Sequence, residues 1–86
     1  MQIVVTRTGG GRAYCALADD GGTTAHFAGE RDIAGTGGGH LGLRRAGAAF
    51  AASHGFRVVA ATWRMDHPDT HRARVERGPA LVAVTP

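Results

Sequence analysis

Asp66-His67-Pro68-Asp69-Thr70-His71-Arg72-Ala73-Arg74-Val75-Glu76-Arg77-Gly78-Pro79 carries both a start and a stop signal. Pro68 suits the first turn of a helix, where its missing N–H costs nothing, and Asp69 is favourable beside the positive end of a helix dipole. Gly78-Pro79 then ends the element, so the spacing predicts a short helix running to about Arg77. Upstream, Arg57-Val58-Val59-Ala60-Ala61-Thr62-Trp63 shows no alternation, as expected of a central parallel strand covered on both faces. Downstream, Ala80 to Thr85 reads as a last apolar strand.

The first half of the chain has a different grain. Gln2 to Arg7 is rich in β-branched residues and predicts a strand closed by Thr8-Gly9-Gly10-Gly11. Ala13 to Ala18 is a second strand. Asp19-Asp20-Gly21-Gly22 supplies the positive φ that tight hairpin turns need, and Thr23 to Ala28 follows as a third strand. These three form an antiparallel meander. Gly29 to Gly39 is an irregular connection. From Leu41 to His54 the pattern becomes helical, with Leu43, Ala46, Gly47, Phe50 and Ser53 on one face and Gly55 as the cap. The expected architecture is a single α/β domain over residues 1–86, bordering on α+β, in the order βββαβαβ: a mixed five-stranded sheet with two helices packed on it.

Composition bounds the chemistry. Eighty-six residues at 43% hydrophobic and 20% charged describe one globular domain with a small core. No apolar run reaches the length that spans a bilayer, so no membrane association is expected. One cysteine, Cys15, excludes an internal disulfide and a multi-cysteine zinc site, which suits a cytoplasmic setting. All 10 basic residues are arginine. Guanidinium groups grip phosphate in a bidentate manner, which points to nucleic acid. A GC-rich coding sequence would produce the same bias, together with the excess of Ala, Gly and Val.

Gly37-Gly38-Gly39-His40-Leu41-Gly42 formally matches a dinucleotide-binding pattern ahead of a helix, where unpaired N–H groups receive anions. It does not follow a strand directly, and no acidic residue stands about 20 positions on. An anion site here would use Gly37, Gly38, Gly39 and His40 with Arg44, Arg45 and Arg64; the alternative is a closely packed connection. Arg72, Arg74 and Arg77 on the expected second helix are the nucleic-acid contacts, unless they pair with Glu76 and Asp69 in solvent. His67 and His71 have metal-ligand spacing, but Pro68 makes His67 a cap, so no metal is assigned. Cys15 in an Ala/Leu strand reads as a small buried hydrophobe, and Trp63 as core or a pocket wall. No catalytic residue and no cofactor are assigned.

The order of elements resembles the ribonuclease H-like fold: three antiparallel strands, a helix opened by Gly35-Thr36, an apolar strand ending near Asp66, then a helix and a strand. In that family carboxylates clamp two metal ions. Here the first-strand position near Thr6, Arg7 or Thr8 and the helix position near Gly42 hold no carboxylate. The resemblance therefore implies a non-catalytic relative. Gly38 to Pro86 is also similar to small acetyl-CoA-binding acetyltransferases, on the Gly-rich loop, Arg64-Met65-Asp66-His67-Pro68 and Gly78-Pro79. The residue that would protonate the thiolate falls on Arg74, which implies a stripped-down core.

Three functions are carried forward. The first is a small, non-enzymatic binding or regulatory module that contacts an anionic partner, nucleic acid foremost, through arginines. The second is an acyl-CoA or nucleotide-phosphate site at Gly37 to Gly42. The third is a protein–protein module, including a homodimer paired through a sheet edge.

Overall fold

In the computed structural model, which describes residues 1–22, 24–33 and 39–78, the chain runs through seven regular elements. They are β1 (Gln2–Gly9), β2 (Arg12–Ala18), β3 (Ala25–Asp32), α1 (Gly39–Ser53), β4 (Phe56–Val58), β5 (Arg64–His67) and β6 (Thr70–Arg77), with a 3₁₀ turn at Ala60–Thr62. The sheet order is β3-β2-β1-β6-β4, and β5 also pairs with β6. Each of these pairings is antiparallel. The sheet curls into a half-barrel, and the domain is predominantly β.

This corrects the expected α/β class with its two helices and mixed five-stranded sheet. The stretch read as a second helix is strand β6, and Pro68-Asp69 is the two-residue turn of the β5–β6 hairpin, closed by the His67↔Thr70 pair. The reason lies in the period. His71, Ala73 and Val75 are buried while Arg72, Arg74 and Glu76 point the other way, an alternation of two that a helix cannot satisfy. Pro-Asp serves a turn as well as it serves a helix start. With β6 a strand lying antiparallel beside β1, the described residues contain no parallel crossover.

The expected central strand at Arg57 to Trp63 is also corrected. β4 stops at Val58, the chain makes a 3₁₀ turn, and β5 resumes pairing with β6. Thr62 makes this interruption work. Its Oγ1 donates to the Val59 carbonyl at 2.7 Å and accepts the Arg74 N–H at 2.8 Å. Val59 N–H in turn donates to the Arg74 carbonyl at 2.9 Å. One side chain thus replaces a missing ladder bond, and residues 56–67 behave as a single broken edge strand. The expected strand at Ala80 to Thr85 lies outside the described residues.

The meander forms, but β3 runs on to Asp32, which corrects the irregular connection expected from Gly29. Gly29 to Asp32 pair with Cys15 to Arg12 on β2, an extension that the local signals did not show. β1 pairs with β2 from Gln2↔Ala18 to Arg7↔Ala13, and β2 pairs with β3. Helix α1 lays Leu43, Ala46, Gly47, Phe50 and Ala51 on the inner face of the sheet. There Ile3, Val5, Cys15, Leu17 and Ile33 complete the core. The close approach depends on Gly47, where a Cβ would lie 3.2 Å from Trp63 Cη2 and 3.3 Å from Val5 Cγ1. Gly55 ends the helix with φ 85°. The opposite face of the sheet has no helix on it among the described residues. It exposes the second set of alternate side chains: Val4, Thr6, Tyr14, Ala16, Arg72 and Arg74.

Candidate nucleic-acid interface

Strand period and hairpin register together gather arginines that are not adjacent in sequence. Arg72 and Arg74, two apart on β6, share the open face. In the hairpin, Arg64 stands directly across from Arg72. On the other side of β6, Gln2 faces Arg74 and Val4 faces Arg72. The three arginines, with Gln2, Thr62 and Asp20, line a cavity of about 390 Å³.

Fixed contacts orient one of the three. Arg72 Nε donates to Asp66, and its Nη1 donates to Gln2 Oε1 at 3.3 Å. Gln2 is 8% exposed and is itself held by donating Nε2 to the Asp19 carbonyl at 3.3 Å. Arg64 and Arg74 have no side-chain ion pair among the described residues. Opposed like charges on a ladder are destabilising, so an arginine facing an arginine needs a reason. An anion seated between them removes the repulsion and accepts their N–H donors. Asp20 sits at the rim, 79% exposed, and its Oδ1 is held by the Met1 nitrogen at 2.6 Å.

The candidates around the glycine loop are dispersed by the fold. Gly37 and Gly38 lie outside the described residues. Gly39 opens α1 with φ 65°, and its carbonyl accepts from Arg7 Nη2 at 3.0 Å. Arg45 is exposed on α1. His40 and Arg44 belong to the helix side of the sheet, away from Arg64. Arg44 lies 5.5 Å over the Trp63 ring and donates Nε to His71 Nδ1 at 2.9 Å. Arg77, expected beside Arg72 and Arg74, has the opposite strand parity and lies 5.4 Å over the Phe56 ring.

His71 is fully buried, and its two ring nitrogens are both used. Because Nδ1 accepts from Arg44, the proton sits on Nε2 and is donated to the Pro68 carbonyl at 3.3 Å. Burial lowers its pKa, and neighbouring Arg44, His40 and Arg7 add to the effect against the opposing Pro68 bond. His71 is a neutral structural imidazole, with no lone pair left for a metal. His67 is exposed and accepts the Asp69 N–H at 3.1 Å. No group of three or more His, Cys, Asp or Glu side chains forms a metal site among the described residues. Cys15 is fully buried, and burial pushes its thiol up to about 11, far from the thiolate a nucleophile requires.

Two features of the face were not singled out from sequence. Gln2 as the support of Arg72 is visible only through register. In the sequence Tyr14 is simply part of a strand; in the structure it is 44% exposed on the open face, across from Thr6. The tyrosine leaves a weak signal, being the large aromatic on the polar parity of an otherwise small-residue strand. No helix among the described residues is long and apolar enough to cross a membrane. Neither a protein-family profile, a curated protein nor a solved structure matches this chain.

Proposed function

We propose that the open face of this sheet binds single-stranded nucleic acid, with Arg64, Arg72 and Arg74 on the phosphates and Tyr14 stacking on a base. The observation that carries the reading is the Arg64↔Arg72 cross-strand pair, followed on the same face by Arg74 and opening on a cavity. A sheet face free of helix, with cations and a local cavity at one side and an exposed aromatic nearer the centre, offers a backbone track and a stacking platform. Adjacent strands lie about 4.8 Å apart, so Tyr14 on β2 and the arginines on β6 are about two strand spacings apart, within reach of neighbouring nucleotides. Acidic side chains on this face are mostly engaged, Asp66 by Arg72 and Glu30 by Arg12.

The test is anisotropy of a labelled mixed-sequence oligonucleotide titrated with the chain over a salt series. Three phosphate contacts to a single strand give a log–log slope of about −2. Replacing Arg74 with Ala lowers that slope by about 0.7, and Tyr14→Ala weakens binding without changing it. Affinity that does not respond to salt overturns the reading.

A further inference from the structure

We infer that the outer edge of β3 pairs antiparallel with the same edge of a second copy of this chain, with the two-fold axis at Gly29. β3 ends the sheet order and has β2 as its only strand neighbour among the described residues. It is eight residues long and contains neither Pro nor Lys, two devices that commonly blunt an edge. Its bulge, at the Leu17/Ala18 register shift, affects only the first residues and leaves Phe27 to Asp32 straight. Phe27 lies on this edge at 42% exposure.

The charges select both the partner and the register. In a continuous sheet, residues paired across the axis must have the same parity, or one copy would turn its core face outward. Setting the axis at Glu30 or Arg31 places that charge opposite itself, which is destabilising. An axis at Ala28 pulls the bulged residues into the ladder. With the axis at Gly29, Phe27 faces Arg31 of the other copy, Ala28 faces Glu30, and the central pair has no side chains. Phe27 with Arg31 is a cation–aromatic contact on the helix side. Arg31 already behaves this way within one copy, lying 5.8 Å over the Phe50 ring. No like charges oppose each other in this register. The axis is perpendicular to the sheet, so both open faces lie on the same side. The two arginine clusters would then act on one strand of nucleic acid, a consequence that rests on the preceding proposal.

Sedimentation of the full chain over a concentration series, with no oligonucleotide present, tests the pairing separately from nucleic-acid binding. The expected result is twice the chain mass at high concentration. Ala28 is exposed and on the open face, so charge there spares the core. Ala28→Glu places two like-charge pairs at the junction and raises the dissociation constant about tenfold. Ala28→Arg meets Glu30 of the other copy and keeps the dimer. In a Cys15→Ala background, Gly29→Cys crosslinks copies under oxidation; Cys15 is removed because it stands directly across β2 from Gly29 and would otherwise take the new thiol into an intrachain disulfide. A monomer at every concentration overturns the inference, and so does a dimer equally indifferent to Ala28→Glu and Ala28→Arg or a Gly29→Cys dimer that fails to crosslink.

Discussion

Arg64 and Arg72 face each other across the β5–β6 ladder, and of the two Arg72 carries the carboxylate partner, Asp66. The pairing is set by the two-residue turn at Pro68-Asp69 together with the bulge between Met65 and His67, which shifts the register by one so that Arg64 and not Met65 faces Arg72. Register therefore imposes a repulsion that the fold does not need. It is the kind of local cost that persists where a ligand of opposite charge uses it.

Removing that repulsion should separate stability from binding. Arg64→Thr is expected to stabilise the free protein by about 0.5 kcal/mol, because a β-branched neutral residue replaces an opposed like charge. The same change should weaken oligonucleotide binding. Urea unfolding and anisotropy on one preparation measure both; a variant that loses stability and binding together contradicts the assignment.

The broken edge depends on one hydroxyl. Thr62→Val keeps the shape but leaves the Arg74 N–H and one acceptor contact at Val59 without their partner. The expected loss is about 0.5–1.5 kcal/mol, the net worth of an ordinary hydrogen bond, because the Arg74 N–H is exposed and water can take the place of the lost partner. Amide exchange at Arg74 should accelerate at the same time. Unchanged protection there would show that the ladder does not rely on Thr62.

His71 makes stability pH-dependent. Its folded pKa lies below the ordinary 6.5, so the unfolded chain binds the proton more readily. Its contribution is fully present above pH 6.5 and is lost as the pH falls from there toward the lower folded value. Protonation also ends the Arg44 bond, because Nδ1 can no longer accept. Denaturant midpoints followed downward from neutral pH should fall for the parent, with a shallower dependence for His71→Leu. Parallel curves would remove His71 as the cause.

Cys15 should be silent. A fully buried thiol with its pKa near 11 reacts with a disulfide reagent only when the domain opens. Labelling is expected to track global unfolding and to speed up with denaturant in proportion. Rapid labelling of the native protein would show that the β2 face of the core is open.

The first three strands and α1 could be read locally because their signals are local. Asp19-Asp20-Gly21-Gly22 has few conformations besides a turn, and the Asp19 N–H does bond across it to the Thr24 carbonyl at 3.0 Å. Leu43, Ala46, Gly47 and Phe50 have the spacing of a helical face whatever they pack on. The second half was harder. Pro68-Asp69 is compatible with a helix start and with a hairpin turn, and eight residues are too few for helical propensity to decide. His71, Ala73 and Val75 hold the alternation that separates the two, but two of them are residues that also occur on helices.

The sequence by itself determined a small single-cysteine domain with an arginine-only cationic set, a β-meander and one amphipathic helix. Tertiary structure decided the remainder. β6 becomes a strand because β1 offers it a ladder and α1 covers His71, Ala73 and Val75, neither of which is encoded within residues 70–77. The same pairing scatters the loop candidates and assembles Arg64, Arg72 and Arg74. Strand register is a relation between segments, so the site it creates exists only once the sheet has formed.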